Sequence, residues 1–237
     1  MRCIGVKIST NIVYLPANKP TLEAIHPILL LIIGINVLVS FRGFENEGFF
    51  NRYKFQVNAV RSGDKKRLWT AGFLHVDFSH LLFNMFALYI FADIVLYNLG
   101  ILLFLILYFV CLYVGNQFTY IYHQNQGYYS AVGASGAVSG VVYAAILLNP
   151  SMNLYLFFIP IPIPGIVFGV GYLLYSIYGM KKQSGNIGHT AHFGGAAAGF
   201  IVTLFMQPSL VIQQPVMVGL LTIPIVLMAF LIKKDKL

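Results

Sequence analysis

An all-α bundle of membrane-spanning helices is the fold class that this 237-residue chain predicts, and three observations predict it. Hydrophobic residues make up 58% and charged residues 9%, against roughly 45–50% and 25% in a soluble domain. The mean hydropathy is +0.78. The apolar residues gather into seven long runs, and at about 20 residues per crossing these fit one polytopic domain rather than a soluble globule.

Those runs place helices near 24–41, 77–97, 100–122, 134–149, 165–179, 189–207 and 212–232. Residues 1–23 mix Arg2, Lys7, Asn11, Asn18 and Lys19 with short apolar pieces, so they read as an N-terminal extramembrane segment and not as a signal peptide. The interval 42–68 holds seven of the fifteen basic residues interleaved with Phe44, Phe49, Phe50, Tyr53 and Phe55, a mixture suited to a loop on the membrane surface. Pro160, Pro162 and Pro164 cannot all sit in a helix, because each removes a backbone donor; 150–164 is therefore an interfacial connection. The run 134–149 lies between Gly133 and Pro150, and its 16 residues rise about 24 Å, less than the ~30 Å hydrocarbon thickness. If its far end reaches one surface, Ser135 lies below the other. Loop 180–188 has the Gly and Ser content of a mobile lid. Residues 208–237 read as an additional C-terminal helix with a basic tail, Lys233, Lys234 and Lys236, as its anchor.

The net charge of +8 points to anionic lipid headgroups as partners and not to nucleic acid. Cys3 and Cys111 are too far apart in sequence to suggest a disulfide framework or zinc spacing. His75 and His80 are five apart with no Cys or Glu completing a set, so no metal site is expected. Counting Lys and Arg gives 12 on the side of 42–68 and 3 on the side of the N-terminus, and positive-inside bias would turn the first side to the cytoplasm.

Polar residues inside a membrane are costly and gather at bundle interiors and water-filled cavities. Three places collect them. His80 and Asn84, four apart, share one helical face. Ser135 stands between small residues at a helix start, with Gly136 and Gly140 four apart. His189 and His192 precede Gly195 and Gly199, also four apart. Small residues at this spacing let two helices pack with backbones close, which would bring His192 next to Ser135. Ser135 alone would be a packing residue or a cap, and His192 alone a buried hydrogen-bonding histidine. Together they suit nucleophilic catalysis: an imidazole can take the serine proton during attack and return it to the leaving amine. The Ser135 N–H, Asn84 and His80 could receive the oxyanion. Asp77 and Asp93 are the only acids in the apolar runs and neither shares a motif with His192, so a dyad is expected rather than a triad. His189 reads as structural.

At these residues the chain resembles the rhomboid family of intramembrane serine proteases. The matching elements are Gly133-Ala134-Ser135-Gly136, His80 and Asn84 in HLLFN, and Ala191-His192 followed by Gly195 and Gly199, in the family's order and covering roughly 24–207. The resemblance implies a six-helix catalytic core over 24–207, here with a seventh helix. It also implies Ser135 as nucleophile, His192 as general base, and His80 with Asn84 as the oxyanion-stabilising pair. Arg67 and the segment 42–68 look like the family's first loop, and His75 matches a structural histidine position. Transmembrane protein substrates, no cofactor, and a bacterial inner membrane location with the site opening outward are implied in the same way; the last conflicts with the charge count. Ser139 and Leu96 stand where some members carry an aromatic residue and a glutamate.

Two rivals share these features. An inactive rhomboid-like protein would bind transmembrane clients without cleaving them, which retention of both Ser135 and His192 disfavours. A transporter would need paired mid-span carboxylates or internal symmetry, and the sequence displays neither.

Overall fold

The computed structural model describes residues 25–156, 159–182 and 188–234. The expected extramembrane segment 1–23, and 183–187 of the expected lid, lie outside the described residues. Helix α1, Pro27–Glu45, starts on a proline whose missing N–H costs nothing in a first turn, and His26 caps it by accepting from the Ile28 N–H. It runs one turn past the apolar stretch, because Arg42 in its last turn suits the negative end of the helix dipole. Asn46 then caps α2, Glu47–Tyr53, by accepting from the Phe49 N–H at 2.7 Å.

The interval read as a surface loop is a folded unit: α2, strand β1 (Phe55–Gln56), α3 (Val57–Arg61), α4 (Arg67–Thr70) and a 3-10 turn, Ala71–Phe73. Arg67 holds it together. Its Nε donates to Asp64 at 2.9 Å, and its Nη1 donates to the carbonyls of Asn51 and Lys54 at 2.9 and 2.8 Å.

Helix α5, Phe78–Tyr122, is capped by Asp77 and broken at Gly100, whose φ of 76° is one that glycine adopts without steric penalty. The two arms, 78–99 and 101–122, fold back on each other. His80 near the start of the first and Gly115 near the end of the second both pack against residues 133–136. The expected pair of spans is therefore present, joined by a single glycine.

Strand β2, Ser130–Ala131, pairs antiparallel with β1 and leads into α6, Ser135–Leu148. Every residue from Gly136 to Leu147 is buried, so α6 is the bundle's central rod. The connection 150–164, expected as an interfacial connection and not a helix, contains a β-hairpin, β3 (Asn153–Leu156) with β4 (Ile159–Pro164). Spaced two apart, its three prolines strip donors from one edge only, an arrangement that a two-stranded hairpin tolerates. Helix α7, Gly165–Lys182, and α8, His189–Met206, complete the core. A turn of helix, α9 (Leu210–Gln213), leads to α10, Pro215–Lys233, which packs on α7 where Leu221 covers Gly169.

Large apolar side chains face outward around the bundle, Leu38, Leu102, Phe205 and Ile212 each at least 70% exposed, which is the surface that lipid solvates. Pro27–Glu45, Phe78–Tyr122 and Pro215–Lys233 are long and apolar enough to cross a membrane, and α6 is a shorter apolar rod. The protein is a multi-pass, all-α membrane bundle.

Candidate functional site

The site is built around the start of α6. Gly133 has φ 126°, a region that a residue with a Cβ rarely enters, and this turn aims Ala134 and Ser135 into the bundle. Its N–H donates to the Ala71 carbonyl at 3.0 Å, tying the turn to the folded loop. The next N–H, of Ala134, donates to His75 Nε2 at 3.4 Å. His75 Nδ1 lies 2.8 Å from Ser40 Oγ, which itself donates to the Phe73 carbonyl at 3.0 Å. Since the one hydroxyl proton of Ser40 is used on Phe73, His75 donates from Nδ1 and accepts at Nε2. His75, in the loop ahead of the second span, therefore has its tautomer fixed from α1 and holds the backbone beside Ser135. Burial, with the His80 ring alongside, pulls its pKa down to about 3.

His80 stands edge-on to His75 at 5.0 Å. A Cβ at Gly133 would come within 2.7 Å of the His80 ring, and Ser135 Oγ lies 3.8 Å from the same point. Glycine at 133 thus leaves the space in which the imidazole and the hydroxyl converge. Asn84, 6% exposed, spends one amide proton on the His80 carbonyl at 2.9 Å. The other is available to a ligand.

His192 comes from the fourth position of α8. The helices carrying it and Ser135 meet backbone to backbone. A Cβ on Gly195 would overlap the Gly136 carbonyl, and one on Gly199 would overlap the Gly140 carbonyl. The expected glycine seam is therefore present. It sets Ser135 and His192 on the wall of one cavity of about 970 Å³, which His80 and Asn84 of α5 also line. Among the described residues no hydrogen bond joins Ser135 to His192; such bonds are often long in substrate-free sites and tighten on binding. Phe83, Ala87 and Phe91 from α5 and Phe168 and Tyr172 from α7 give the rest of the lining much of its apolar surface, and Lys54, Asp77, Ser130 and Ser139 add polar groups to the wall.

His189 does not line the cavity. Its ring covers Gly179 and stands edge-on to Tyr175 at 5.2 Å, packing α8 against α7. Arg67 lies in the loop, where its hydrogen bond holds the Asp64 carboxyl below the usual carboxylate range. Sequence reasoning missed two residues: Ser40, which orients His75, and Tyr172, whose ring faces His192 at 6.0 Å. A serine and a tyrosine in apolar helices carry no spacing signal that could have singled them out.

A polytopic membrane bundle with a serine at a buried helix start and a histidine across a glycine seam defines a class, and comparison with known proteins agrees with it. The family model described as the rhomboid domain matches residues 62–209, more than half of the chain. The chain belongs to the rhomboid family. It is 31% identical over 187 residues to "RHOMBOID-like protein 12, mitochondrial" of Arabidopsis thaliana, covering 73% of this chain and 55% of that protein. It is 38% identical over 91 residues to "Putative rhomboid protease YdcA" of Bacillus subtilis strain 168, covering 38% of this chain and 45% of that one. The chain thus spans about half the length of the curated relatives it matches.

Proposed function

We propose that the chain is an intramembrane serine endopeptidase that cleaves transmembrane protein substrates near the membrane surface with a Ser135–His192 dyad. The observation that carries this reading is the seam of Gly136 and Gly140 against Gly195 and Gly199, which sets both side chains on one cavity wall beside His80 and Asn84. Ser135 Oγ attacks the scissile carbonyl carbon and its proton passes to His192. The oxyanion is met by the Ser135 N–H at the head of α6, the free amide proton of Asn84 and His80. His192 then protonates the leaving amine, and water activated by the same imidazole hydrolyses the acyl-enzyme. The chemistry calls for neither a metal nor an organic cofactor.

The catalytic core is assigned to 24–207, with 208–237 as an added helix and tail. The proposed location, a bacterial inner membrane, rests on the family resemblance alone; the Arabidopsis relative is mitochondrial by name. Membrane lipids are the other proposed partner, through the basic first loop.

Purified protein in lipid vesicles is expected to react covalently with a fluorophosphonate, and Ser135→Ala is expected to abolish labelling. His192→Ala is expected to abolish cleavage of a co-reconstituted single-span protein while the melting transition stays. A folded wild type that neither labels nor cleaves would instead favour the inactive, client-binding reading.

A further inference from the structure

A general base needs its ring held in one plane, and a dyad lacks the carboxylate that does this in a triad. Among the described residues no side chain hydrogen-bonds to the His192 ring, so packing must orient it. Tyr172 on α7 lies nearly parallel to that ring, with centroids 6.0 Å apart and planes 18° apart, within the range of a productive aromatic contact. His189 flanks His192 edge-on at 6.4 Å.

Tyr172 is itself fixed. Its hydroxyl lies 2.7 Å from Ser139 Oγ, one turn beyond Ser135 on α6. Phe168 stacks on its ring at 5.8 Å. The Tyr143 hydroxyl, also from α6, donates to the Gly169 carbonyl three residues before Tyr172. The α6 helix that carries the nucleophile therefore sets, through Ser139 and Tyr143, where the Tyr172 ring stands.

We infer that Tyr172 is a positioning residue for His192, its ring fixing the plane of the imidazole and Ser139 fixing the ring. The inference rests on the dyad reading above. A packing residue would matter to stability alone. A positioning residue matters to the rate of proton transfer, where misplacement by about 1 Å can cost about a hundredfold.

The test uses the full chain in phosphatidylcholine vesicles and the saturation kinetics of fluorophosphonate labelling, which separate reagent binding, KI, from the bond-forming rate, kinact. Tyr172→Phe keeps the ring and is expected to stay within about fivefold of wild type, the worth of one hydrogen bond. Tyr172→Leu and Tyr172→Met, the second retaining more of the volume, are expected to lower kinact about ten- to hundredfold at little-changed KI. Both are expected to keep the wild-type melting transition. Wild-type kinact in the folded Leu and Met variants, or a Phe variant as slow as Leu, would overturn the inference and leave the dyad standing. Absence of Ser135-dependent labelling in wild type would overturn both.

Discussion

Gly195 on α8 lies with its backbone against that of Gly136 on α6, closely enough that a single methyl group at Gly195 would overlap the Gly136 carbonyl oxygen. This contact sets the separation of the two helices that carry Ser135 and His192. Gly195→Ala is expected to push them apart and destabilise the protein by about 1–3 kcal/mol, the usual range for overpacking. Thermal unfolding in detergent checks the stability, and fluorophosphonate labelling is expected to fall more steeply than the folded fraction.

Asn84→Ala removes one oxyanion donor and leaves the Ser135 N–H and His80 in place. The cleavage rate is expected to drop by about 10²–10³-fold or less, with labelling slowed and not abolished. A variant as inactive as Ser135→Ala would mean that Asn84 supports the fold of the site rather than the oxyanion.

His75 ties stability to pH. Its pKa is pulled from the ordinary 6.5 to about 3 in the folded state. Between these values the unfolded chain takes up a proton that the folded chain refuses, so stability falls as pH drops from about 6.5 toward 3. Melting temperatures measured across that window are expected to decline for wild type and to decline less for His75→Gln. At pH 7, His75→Ala is expected to cost about 1–3 kcal/mol, because the buried Ala134 N–H loses its acceptor.

Arg67 joins α4 to α2 through the carbonyls of Asn51 and Lys54. Arg67→Ala is expected to weaken the folded loop by about 1.5–3 kcal/mol, the range for charge-assisted hydrogen bonds. Hydrogen exchange should quicken over residues 46–70 and stay unchanged in α6 and α8.

Much of this architecture was legible in the sequence because lipid imposes length and composition on whatever crosses it. The spans, the short α6 rod and the glycine spacings could be read directly, and so could the gathering of Ser135, His192, His80 and Asn84. The loop between α1 and α5 could not, because its order comes from Arg67 reaching backbone carbonyls 13 and 16 residues away, which no local pattern encodes. The hairpin of β3 and β4 was hidden by its prolines, which exclude helix but are compatible with one free strand edge. Tyr172 and Ser40 act through partners on other helices, Tyr172 on Ser139 33 positions away and Ser40 on His75 35 positions away, so their significance appears only once the helices are packed.

The first arm of α5 and helix α7 both contribute to the cavity wall, and Tyr172 rides on α7. Because the ring that stands nearly parallel to His192 belongs to α7 and the imidazole to α8, a displacement of α7 relative to α8 would be felt directly at His192.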